Sequence, residues 1–246
     1  MQRLGLALGG AATVLICLLA GARPAAAHPG EQVGRPNLPD EQTFGTEHFL
    51  IHYTLAGRSA VDETDADNSG VPDFVEVLAQ TVEYVWTAEI DTMGWPQPPY
   101  DRGQGGDERI DIYLDNILRN GYAGYVETSG GYVNDNPNTP ETERRAAYAY
   151  MVLDNDYSEA DPDYNETPIG LMQATVAHEF NHVIQAGIDD LDLHAWLYEA
   201  TATWMEDQVY PDVNDGLFYL DSVFKNPDIC MVAEDARGDD LHWYGN

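Results

Sequence analysis

The chain has 246 residues and a formal net charge of −32, from 11 Lys and Arg against 43 Asp and Glu. That balance excludes nucleic acid and anionic membrane surfaces as natural partners, since both repel a polyanion. At 43% hydrophobic and 11% aromatic residues, the sequence holds enough apolar surface for a core and is not a disordered acidic tail.

Residues 1–27 read as a secretory signal. Arg3 opens a short basic region, residues 4–20 are largely apolar, and Ala25-Ala26-Ala27 offers a small-residue cleavage site. The apolar run is short and broken by Gly9-Gly10, which argues against a membrane anchor. Bulky Ile16 before Cys17 argues against lipid attachment there. Cleavage would leave nine basic residues against 43 acids, a net charge of −34, with Lys225 the only lysine. Such a charge suits calcium binding, or solubility in salty or acidic surroundings. Cys230 would then be the only cysteine, so no disulfide could close within residues 28–246. The chain stops on LHWYGN, which suggests a fragment whose Cys230 partner lies further on; a buried unpaired thiol is the alternative. The expectation is an exported protein without stable membrane association.

Residues 28–43 are polar and rich in Pro and Gly, and read as an N-terminal arm. Residues 47–54 (EHFLIHYT) alternate as a strand, with His48 and His52 on the face of Leu50 in structural roles. Next, Asp65, Asp67, Ser69, Val71, Asp73 and Glu76 fall at positions 1, 3, 5, 7, 9 and 12 of a loop with Gly70 at position 6. That is the spacing of an EF-hand calcium loop, in which a hard cation gathers six to eight oxygens and glycine permits the sharp bend. Val71 would give its carbonyl and Glu76 would close the site. Pro72 in place of an aliphatic residue, and the lack of a preceding helix or a second loop, make it an isolated loop of extracellular type. An acidic turn that only caps the next helix is the simpler alternative.

That helix is expected over residues 72–93, with Val75, Leu78, Ala79, Val82, Val85, Trp86, Ile90 and Met93 on one face. Strands are expected at 109–116 (RIDIYLDN), at 121–128 more weakly, and at 146–153 (AAYAYMVL). Residues 95–108, 130–143 and 158–167 read as loops, the last holding the formal glycosylation triplet Asn165-Glu166-Thr167. Thr167-Pro168 then caps a long helix that ends at Gly187, and a further helix covers about 193–210 before Pro211.

The long helix contains His178-Glu179-Phe180-Asn181-His182, an H-E-x-x-H motif. Residues four apart share a helix face, so both histidines can offer a ring nitrogen to one metal ion. Glu179 is about 100° further round, beside that ion but free to hold a water. A catalytic zinc takes three protein ligands and keeps a fourth position open. Glu199, 17 residues after His182 on the next helix and flanked by small residues, is a candidate third ligand. Asp189, Asp190, Asp192, His194 and Glu206 are its rivals.

Here the sequence resembles the gluzincin zinc metallopeptidases, whose third ligand is a glutamate on the helix after the motif. IHYT, SGVPDFVE, AHEFNHVIQ and YEATATWMED also make residues 44–207 similar to a group of secreted bacterial metalloproteases. The resemblance implies a zincin-like α/β (α+β) fold, a mixed twisted sheet with an active-site helix and a second ligand-bearing helix. It implies His178, His182 and Glu199 as zinc ligands and Glu179 as the general base for hydrolysis of a protein or peptide substrate. Tyr198 departs from the Asn or Gly that often precedes the ligand glutamate. Ile188 stands where a metzincin would need His. Thr203 or Glu206 could orient a ligand histidine, and Tyr198, His242 or Tyr244 could stabilise an oxyanion. By fold analogy, 146–153 could be the edge strand that pairs with substrate. The competing functions are a zincin-fold binding or adhesion protein without turnover, and a zinc hydrolase of non-peptide amides.

Overall fold

The computed structural model describes residues 34–128, 132–159, 166–190, 195–214 and a few positions between 216 and 228. The signal at 1–27, residues 28–33 of the arm, Asn165, Asp192, His194, Cys230, His242 and Tyr244 lie outside the described residues. The core is a five-stranded mixed sheet in the order β1-β2-β3-β7-β4. Its strands are β1 (Gln42–Gly45), β2 (Phe49–Tyr53), β3 (Ile110–Asp115), β4 (Gly124–Glu127) and β7 (Tyr150–Asp154). β2, β3 and β7 run parallel, and β1 and β4 join antiparallel at the two edges. A separate two-stranded ribbon pairs β5 (Tyr132–Asn134) with β6 (Ala146–Ala147).

Among the described residues, three α-helices accompany the sheet: α1 (Asp73–Trp86), α2 (Pro168–Asp189) and α3 (Ala195–Val209). Phe49 and Ile51 of β2, Ile110, Ile112 and Leu114 of β3, and Met151 and Leu153 of β7 meet α1 and α2 in the main core. Thr167 starts α2 as expected, its hydroxyl accepting from Gly170 N at 3.0 Å. No helix among the described residues is long and apolar enough to cross a membrane.

The other sheet face carries a polar network. His52 stacks on Tyr113 at 4.2 Å and sits between Glu41 (2.8 Å) and Asp111 (2.9 Å). Arg35 ties the arm to this face through Asp111 and through Asp101 at 2.8 Å. His52 therefore holds structure, as its sequence context suggests. His48 does not share its face: it stacks on Trp86 at 3.9 Å and pairs with Glu83 at 2.7 Å, because β2 starts only at Phe49.

Several boundaries shift. The 72–93 helix keeps α geometry to Trp86 and then widens into a π turn over Thr87–Thr92, with Met93 N donating to Ala88 O at 2.9 Å. The wider turn rotates the stripe, so Met93 is exposed rather than in the core. Segment 146–153 is two elements, β6 and β7. The sheet edge nearest α2 is not β7, which pairs on both sides, but β4. That corrects the placement of 146–153 at an edge.

Candidate metal centre

α2 and α3 pack side by side and bring His178, His182 and Glu199 together. The His178 and His182 Nε2 atoms are 3.0 Å apart, and Glu199 Oε2 lies 3.3 Å from the first and 3.6 Å from the second. Both histidines are fully buried and Glu199 is 5% exposed. A tetrahedral ion with bonds of about 2.0–2.1 Å separates its donors by about 3.3 Å, so these residues fit one.

The outer ring nitrogens explain why the inner ones are bare. His178 Nδ1 faces the Glu206 carboxylate at 2.5 Å, and His182 Nδ1 faces Gln185 Oε1 at 2.7 Å. Gln185 Nε2 faces three oxygens, Thr201 Oγ1 at 2.8 Å, Asn181 Oδ1 at 2.9 Å and the Tyr198 carbonyl at 3.2 Å, which share its two hydrogens and leave Oε1 turned to His182. Each Nδ1 therefore carries its hydrogen and each neutral ring turns an Nε2 lone pair inward. Two lone pairs and a carboxylate converge on one point, which calls for a cation.

Glu179 is fully buried, and neither carboxylate oxygen has a hydrogen-bond partner among the described residues. Burial pushes its carboxyl upward, and the Glu199 carboxylate adds to the push. It lies over Gly124 of β4, where a Cβ would stand 2.8 Å from Glu179 Cγ and 2.7 Å from Thr175 Cγ2. The backbone of β4 thus comes closer to α2 than any side chain would allow.

The other candidates separate cleanly. Glu206 contacts His178 from behind, while Thr203 Oγ1 has no hydrogen-bond partner among the described residues. Asp189 pairs with Arg145, and Asp190 is not part of the His–Glu group. The Tyr198 hydroxyl donates to the Asp189 carbonyl at the end of α2. Gln185, Asn181 and Gly124 were not singled out by sequence, although Gln185 sits one turn from His182.

At the acidic loop, the carboxylates of Asp65, Asp67 and Asp73 gather within 4.8 Å, a second group that could hold an ion. Asp65 accepts from Ser69 N at 3.0 Å and Gly70 N at 2.9 Å, and Gly70 takes φ +91° for the bend. The Gly70 N–H holds the Asp65 carboxyl below its ordinary value. Ser69 Oγ accepts from Val71 N at 3.1 Å. Glu76, in the first turn of α1, is not in the gathered group.

No protein-family model, curated protein or solved structure matches the chain. What fold and site define by themselves is a mixed α/β protein with a buried His178/His182/Glu199 group that could hold a metal ion.

Proposed function

We propose that the protein is an exported zinc-dependent peptidase of gluzincin type, with a structural calcium in the Asp65–Glu76 loop. The observation that carries this is the pairing of convergent bare donors with an unpartnered buried carboxylate, Glu179, beside them. A buried charge without a partner costs stability, and a protein that only bound a metal or a ligand would gain nothing from keeping one there. His and carboxylate donors in this number suit zinc, which when bound supplies Lewis-acid polarisation of a carbonyl and of water.

Within that reading, His178, His182 and Glu199 hold the ion, and Glu206 and Gln185 fix the two rings. Glu179 removes the proton from the attacking water and passes it to the leaving amine. The edge strand β4, with Gly124 against Glu179, takes the substrate-pairing role that fold analogy first placed at 146–153.

The test is metal analysis with a broad peptide-library digest of wild type and Glu179→Gln. The expected result is about one zinc per chain in both, with cleavage reduced by at least about 10³-fold in the variant. Cleavage that survives in Glu179→Gln would overturn the mechanism. Zinc without peptide cleavage, but with hydrolysis of small amides, would move the substrate class instead.

A further inference from the structure

Apart from Thr81, the buried stripe of α1 is apolar from Val75 to Trp86, and then an acid continues it. Glu89 lies one turn beyond Val85 in the π segment and is fully buried. Its Oε2 accepts from Asn181 Nδ2 at 3.3 Å. Asn181 Oδ1 accepts from Gln185 Nε2 at 2.9 Å, and Gln185 Oε1 accepts from His182 Nδ1 at 2.7 Å. The amides on α2 are spaced i, i+4, with His182 one turn before Gln185, so the chain of bonds follows one flank of the helix.

Polarity runs one way along this chain. With Glu89 as acceptor, Asn181 must turn its NH2 towards α1 and its carbonyl towards Gln185. Gln185 must then donate to Asn181 and accept from His182. If Asn181 were flipped, two NH2 groups would face each other. We infer that Glu89, Asn181 and Gln185 are positioning residues that lock His182 as its Nδ1–H tautomer, with Nε2 bare towards His178 and Glu199. The inference rests on reading those three residues as a metal centre. It makes α1, which bears no ligand, a participant in metal binding.

The test compares wild type, Glu89→Met, Glu89→Gln and Gln185→Met. Zinc affinity is read by competition with a chromophoric chelator, geometry by the visible spectrum of the Co2+ form, and folding by melting of the metal-free proteins. Gln185→Met should weaken zinc about 10–100-fold and Glu89→Met about tenfold. Glu89→Gln, which keeps an acceptor oxygen for Asn181, should stay near the wild-type affinity and spectrum. A purely structural Glu89 would lower the melting temperature and leave the affinity and spectrum of the folded variant alone. A folded Glu89→Met with wild-type zinc affinity and cobalt spectrum overturns the inference while leaving the metal centre standing. A wild type that takes up no zinc overturns both. The ring-nitrogen NMR spectrum of the metal-free wild type gives a reading that needs no variant. His182 as the Nδ1–H tautomer supports the inference, and the Nε2–H tautomer overturns it.

Discussion

Gly124→Ala tests the contact between β4 and the proposed base. The added Cβ would stand 2.7 Å from Thr175 Cγ2 and 2.8 Å from Glu179 Cγ, where ordinary contact begins at 3.4 Å. Both neighbours sit on a buried helix, so the strain of about 0.6–0.7 Å must be shared by β4 and α2. Overpacking of this kind costs about 1–3 kcal/mol, and in a chain this size each kcal/mol lowers the melting temperature by about 2–4 °C. Displacing Glu179 by a good part of an ångström should lower peptide turnover about 100-fold. Zinc stoichiometry should hold, because His178, His182 and Glu199 are not the atoms struck. Thr175→Ser removes one of the two clashes, so the double variant should regain stability but not turnover. The assays are a thermal melt, metal analysis and hydrolysis of a quenched fluorescent peptide. Wild-type melting and turnover in Gly124→Ala would refute the argument that β4 and Glu179 are in close contact.

Calcium at a hundredfold excess over its dissociation constant should stabilise the zinc-loaded protein by about 2.7 kcal/mol. Asp65→Ala should abolish that rise in melting temperature, and a wild type indifferent to calcium would remove the second ion from the proposal. Asp190 titrates at about 7, chiefly through burial, against an ordinary value of 3.8. The folded state therefore keeps a proton that the unfolded state has released, so stability falls as pH rises from about 4 to 7. Melts across that range should show Asp190→Asn losing part of the slope; parallel curves would contradict it. Arg35→Met should destabilise the chain by about 3–5 kcal/mol in urea titration, because it strips the cation from the buried carboxylates of Asp101 and Asp111. A loss below about 1 kcal/mol, the range of surface pairs, would mean the network is solvated.

The parts of the molecule legible in the sequence are those where pattern and punctuation agree. α2 has a capped start, a long apolar run and two histidines four apart, and the structure places all of them as expected. β3 alternates and stands. β1 was missed because QTFG is four residues with little burial to mark it. β5 and β6 are too short to show a period. Segment 146–153 read as one strand because it is buried throughout, so nothing in its pattern marked the break at Tyr148-Ala149. Glu199 emerged from spacing and resemblance together. Gln185 and Asn181 carried no signal, because amides on a buried helix look like any polar residue until their partners are known. Glu89 did leave a trace, as an acid on the apolar stripe of α1. The π turn after it could not be read, since pitch changes are set by packing rather than by residue type.

The ligand set also has a mechanical side. His182 and Glu199 lie on different helices, Glu199 17 residues after His182. Any ion gripped by both is a cross-link. Because the ligands converge only in the folded chain, the binding free energy of the ion counts toward folding. Lost metal would then mean more than lost chemistry. α3 would then be held to α2 by side-chain packing alone, and its amide protons would be the first to exchange with solvent. A molecule built this way would carry its own expiry signal in those same three side chains.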